Sequence, residues 1–142
     1  MKPPRRSKST EYKHLREQAA LPGRGGIARI WAAFWNTVGG LREGLRTEAA
    51  IKQEAAIAFI ALPLSFFIAA SLWIWVALIG SLLFLLAVEF LNTAIERLCN
   101  HVQPELHTAI RVTKDLGSAA VFFAILLAAL VWIAALLARF GF

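Results

Sequence analysis

Leu72-Trp-Ile-Trp-Val-Ala-Leu-Ile-Gly-Ser-Leu-Leu-Phe-Leu-Leu-Ala-Val88 is an apolar run long enough to cross most of a bilayer, and it passes without a break into Glu89-Phe-Leu-Asn-Thr-Ala-Ile-Glu96. Read as one helix, steps of three and seven residues from Glu89 turn the chain by roughly 300° and 700°. Glu89, Asn92 and Glu96 therefore fall within an arc of about 60°. Two acids and an amide on one stripe of an otherwise apolar helix carry a desolvation cost unless they are paired, hydrated or bound to a cation. A metal ion relieves a pair of carboxylates most directly.

The sequence on either side repeats the pattern. Ala55 to Ala70 is an earlier apolar stretch, about 24 Å long as a helix, and Leu116 to Leu137 a later one of roughly 33 Å. Of the 142 residues, 58% are hydrophobic and 17% charged, too apolar for a soluble domain of this size. The reading is an all-α membrane protein with membrane helices at 49–70, 72–99 and 115–138. Ser71 marks the turn between the first two, and Trp73 and Trp75 beside it suit an interfacial aromatic belt. Pro63 predicts a kink in the first span.

Ahead of these spans, Ile27, Ile30, Trp31, Phe34, Trp35, Val38, Leu41 and Leu45 recur at steps of three and four, with Arg29, Arg42 and Arg46 off that face. This predicts an amphipathic helix over 27–47, suited to the plane of a membrane surface, the alternative being a helix packed on protein. Gly39-Gly40 within it marks a bend or a close approach. Residues 1–26 carry Pro3, Pro4, Pro22 and three glycines among scattered charges, and read as a disordered cytoplasmic tail. That stretch has no apolar segment of signal-peptide length, and Glu11 and Glu17 argue against a transit peptide.

Charge sets orientation and excludes other classes. Net charge is +6, and 11 of the 15 Lys and Arg residues lie at or before Lys52. The tail and the connection containing Arg97, Arg111 and Lys114 are basic, whereas the turn at Ser71 carries no charge. The positive-inside rule then puts the amino terminus in the cytoplasm. No base-reading motif accompanies the basic stretch, so no nucleic-acid partner is expected. Cys99 is the only cysteine, which excludes a disulfide framework or a zinc cluster within one chain. Gly23-Arg-Gly-Gly26 lacks the Gly-Lys-Ser/Thr ending of a phosphate-binding loop.

Counted from the apolar boundaries, Glu54 and Glu89 adjoin the hydrocarbon on the cytoplasmic side. Glu48 lies before Glu54, and Glu96 beyond Glu89, each about 9 to 10 Å further out. Lys114 and Asp115 precede the last span on the same side. The outer pair, Glu48 and Glu96, are hard oxygen ligands suited to Mg²⁺, which takes one or two carboxylates plus waters and substrate phosphates. Glu89 sits where a lipid head-group hydroxyl would lie and suits a general base, while Lys114 suits phosphate oxygens. These are the parts of phosphoryl transfer. On the bland alternative, Glu96 with Arg97 and Lys114 with Asp115 are ordinary solvated charges at helix ends, Asn92 bonds between helices, and Cys99, His101 and His107 are packing or loop residues.

Glu48-Ala-Ala-Ile-Lys-Gln-Glu54, Glu89-Phe-Leu-Asn-Thr-Ala-Ile-Glu96 and Lys114-Asp115-Leu-Gly-Ser-Ala-Ala120 resemble the three signature stretches of the small prokaryotic diacylglycerol kinases, a family that includes undecaprenol kinases. The resemblance extends from Arg29 to the end of the chain. It implies a homotrimer of three-span subunits in the bacterial inner membrane, with active sites composed between neighbours. It also implies transfer of the γ-phosphate of MgATP to the hydroxyl of diacylglycerol or another lipid alcohol. By the same resemblance, Glu89 matches the catalytic base and Glu48 and Glu96 the metal ligands. Arg29, Glu48, Glu96, Glu105, His107, Lys114 and Asp115 match ATP contacts, and Glu54, Asn92 and Ser118 match positions near the lipid substrate or in the active-site network. One departure is Asn100-His101, where relatives often carry Asp and a basic residue. Two other classes remain open at this point. One is an ion-conducting oligomer with a ring of Glu89; the other is a non-catalytic assembly subunit.

Overall fold

In lipid the backbone amides of a long apolar run have no partner except carbonyls of their own segment, so each run closes into a helix. The computed structural model describes residues 26–103, 105 and 107–141. They form four helices: α1 (Ile27–Thr47), α2 (Ala49–Ile68), α3 (Leu72–Val102) and α4 (Thr108–Phe140). The last three are long and apolar enough to cross a membrane. The chain divides into two compact units, one ending at Gly40 and the other running from Leu41. Of the expected tail 1–26, only Gly26 lies within the described residues; its φ of 50° is a left-handed turn that glycine adopts without strain.

The helices differ from the expected spans at their ends. α2 stops at Ile68 rather than 70, α3 continues to Val102 rather than 99, and α4 covers 108–140 rather than 115–138. The apolar boundary marks where lipid contact ends, whereas the helix continues while water and caps satisfy its terminal groups. His107 starts α4, its Nδ1 accepting from the Ala109 amide at 3.3 Å, and Ser71 starts α3, its Oγ accepting from the Ile74 amide at 3.3 Å.

In the unit from Leu41, α3 packs chiefly against α4. The buried residues of α4 are Gly117, Ala124, Ala128 and Ala135, small enough to let two backbones approach closely. Trp132 then crosses the gap, its Nε1 donating to the carbonyl of fully buried Leu78 at 3.3 Å. At the far end Arg139 Nε donates to Phe67 O at 3.2 Å, satisfying a carbonyl in the last turn of α2 that has no helical partner. Trp75 is half-buried and lies over Phe66, ring centroids 5.3 Å apart, while Trp73 is exposed. Gly39-Gly40 lies within the bounds of α1. The close approach falls at Gly44, where a Cβ would meet the Phe90 ring at 2.5 Å and Ile51 at 3.0 Å.

In an 18-residue apolar window of each span only 17% of the residues are buried within the chain, so much of the apolar surface is left for lipid or other chains. In that setting close packing and interhelical hydrogen bonds hold the helices together. Trp132→Phe, which removes the bond to Leu78, should lower unfolding free energy in detergent by about 0.6 kcal/mol, measured by graded denaturation of purified protein.

Candidate active site

Two carboxylates from different helices border the same cavity. α3 carries Glu89, which is only 6% exposed, and α2 carries half-buried Glu54, whose Oε2 is buried without a hydrogen-bond partner. Both line a groove of about 600 Å³ whose other walls include Ile57, Leu82, Leu85, Val121, Ile125 and Trp132. Each acid lies within Coulombic reach of the other, and Glu89 also within reach of Glu96 and Glu48. An acid at the head of an apolar groove can meet a molecule that is greasy at one end and hydroxylated at the other.

The outer acids are each held by a neighbour. Glu96 Oε1 accepts from Asn92 Nδ2 at 3.2 Å, one turn back on α3. Asn92 is itself wedged against α4: its Oδ1 is buried without a hydrogen-bond partner, and a Cβ on Gly117 would collide with it. The helices can close at this level because residue 117 is glycine. Glu48, at the N-cap of α2, is gripped from α3 by Arg97, with Nη2 at 2.6 Å and Nε at 3.1 Å from Oε1. The adjacent guanidinium holds the Glu48 carboxyl below its usual range, so it is anionic at neutral pH.

A second cavity, of about 440 Å³, lies at the α3–α4 connection and is lined by Asn100, Gln103, Glu105, His107, Arg111, Lys114 and Asp115 among others. Lys114 Nζ donates to Asn100 Oδ1 at 2.6 Å, so the residue noted above as a departure fixes this lysine across the two helices. Four of the expected nucleotide contacts, Glu105, His107, Lys114 and Asp115, thus share one cavity, although His107 also caps α4. Ser118 is exposed on α4 one turn beyond Asp115. Arg29 is exposed in the first turn of α1, within the unit that ends at Gly40.

Arg97 and Thr47 were not legible as site residues, and Asn100 stood out only as a departure from the family pattern. Arg97 falls about 100° from the Glu96 position on the helix and read as a surface charge. Its partner Glu48 is 49 residues away, and no periodicity connects the two.

Three membrane-length helices with acids gathered at one end define a multi-pass membrane protein. The family model described as prokaryotic diacylglycerol kinase matches residues 36–136. The chain is 34% identical over 116 residues to the diacylglycerol kinase of Escherichia coli strain K12, covering 82% of this chain and 95% of that one. It is 34% identical over 93 residues to the diacylglycerol kinase of Haemophilus influenzae, covering 66% and 79%. It is 33% identical over 115 residues to that of Pseudomonas aeruginosa, covering 81% and 94%. The chain belongs to the prokaryotic diacylglycerol kinase family and is a membrane kinase of that family.

Proposed function

We propose that the protein transfers the γ-phosphate of MgATP to the hydroxyl of diacylglycerol, giving phosphatidic acid. It would act in the bacterial inner membrane as a homotrimer, with its amino terminus in the cytoplasm. The observation that carries this reading is the placement of Glu89, a nearly buried carboxylate at the head of an apolar groove. Acyl chains occupy the groove and bring the lipid hydroxyl to Glu89. Glu89 takes the hydroxyl proton, the freed oxygen bonds to the γ-phosphorus, and the bond to the bridging oxygen of ADP breaks. Lys114, held by Asn100, presents its ammonium to phosphate oxygens.

Among the described residues no three His, Cys, Asp or Glu side chains form a metal cage. Mg²⁺ requires none, since it takes one or two carboxylates and completes its shell with water and phosphate. Glu48 and Glu96 fit that donor set, each with one carboxylate oxygen outside the hydrogen bonds described above. When bound, the ion supplies positive charge against the polyphosphate.

Purified protein offered radiolabelled ATP with diacylglycerol and, in parallel, with undecaprenol tests the reading. Labelled phosphatidic acid is expected; preferential labelling of undecaprenol would reassign the acceptor. Vesicles that leak ions with no lipid labelled would favour the pore.

A further inference from the structure

The two acids assigned above to the metal are each held by a single oxygen. Asn92 Nδ2 reaches Glu96 Oε1 at 3.2 Å. Arg97 donates twice to Glu48 Oε1, from Nη2 at 2.6 Å and from Nε at 3.1 Å. Thr47 Oγ1 lies 3.2 Å from the same oxygen and 2.9 Å from Glu43 O, its single proton serving one of the two. Among the described residues no hydrogen bond reaches Oε2 of either acid. Glu48 also turns away from its own helix. It occupies the N-cap of α2 with an extended backbone, φ −99° and ψ 123°, yet its side chain makes no cap bond. A carboxylate at this position ordinarily turns in to the free amides of the first helical turn. Here it is turned out toward α3, and Arg97 is what holds it there.

Arg97 is committed to this contact. Its guanidinium also bonds Thr47 Oγ1, whereas its other acidic neighbour, Glu43, lies at 3.8 Å and is already paired with Arg46 at 3.1 Å. The planar fork suits a fixed carboxylate better than a single ammonium would. We propose that Arg97 is a positioning residue that clamps Glu48 by Oε1 and so presents Oε2 to the divalent ion of the nucleotide complex, as Asn92 does for Glu96. This rests on the kinase reading above. The nearby positive charge opposes a cation, but Arg97 is 47% exposed and screened by water, so orientation of the ligand outweighs repulsion.

The test is a Mn²⁺ titration, followed by electron paramagnetic resonance, of the full-length protein in lipid micelles with a non-hydrolysable ATP analogue. The Mg²⁺ dependence of lipid phosphorylation is measured alongside. Arg97→Ala should weaken Mn²⁺ about tenfold, with the KM for Mg²⁺ carrying more of the change than kcat. Arg97→Lys should recover part of the affinity, and it carries the test if the alanine variant does not fold. Unchanged or tighter Mn²⁺ binding in folded variants, with lipid labelling intact in the parent, overturns the clamp and leaves the kinase reading standing. A parent that binds no Mn²⁺ and labels no lipid overturns both.

Discussion

Glu89→Gln should lower lipid phosphorylation by a factor on the order of 10² to 10⁴ while the protein still folds and assembles. The amide matches the carboxyl in shape, so the groove shared with Glu54 keeps its volume. Removing a charge from a position that is 6% exposed also removes a desolvation cost instead of adding one. What the amide cannot do is accept the hydroxyl proton. The measurement is the initial rate of radiolabel transfer to diacylglycerol, with helical content and elution volume as controls. Wild-type turnover by a folded Glu89→Gln protein would remove the assigned base.

Gly117→Ala should cost activity more than stability. The added Cβ would collide with Asn92 Oδ1, which is the end of a side chain able to rotate away. That rotation spares the backbone but carries Nδ2 off Glu96, freeing an acid that the site holds in place. Loss of such a supporting contact typically weakens a metal site by about 10- to 100-fold. The expected result is a rate reduced by that factor at limiting Mg²⁺, partly recovered at high Mg²⁺, with a small shift in the thermal midpoint. A large loss of stability with unchanged Mg²⁺ dependence would make Gly117 a packing residue alone.

The polar stripe of α3 was readable because a helix repeats every 3.6 residues, which makes the spacing of Glu89, Asn92 and Glu96 a statement about direction. The pairing of levels was readable for a similar reason. Depth is counted from an apolar boundary, and Glu54 and Glu89, each at such a boundary, line the same groove. Contacts between elements were not readable this way. Gly39-Gly40 attracted attention as a doublet, yet it is single Gly44 that admits Phe90 and Ile51. His107 read as a nucleotide contact, and the structure adds a capping role, which depends on where α4 begins.

The sequence by itself determined that the chain is helical, that three of its helices are of membrane length, and that acids cluster beyond the apolar stretches. Those properties follow from local periodicity and from the cost of leaving backbone or charge unsatisfied in lipid. Only the tertiary structure decided that Arg97 grips Glu48, that Asn100 holds Lys114, and that Asn92 is wedged on Gly117. Each of these joins residues from different helices. Such contacts are set by how closely two helices approach and at what rotation, quantities that belong to the pair of surfaces and are written in neither helix alone.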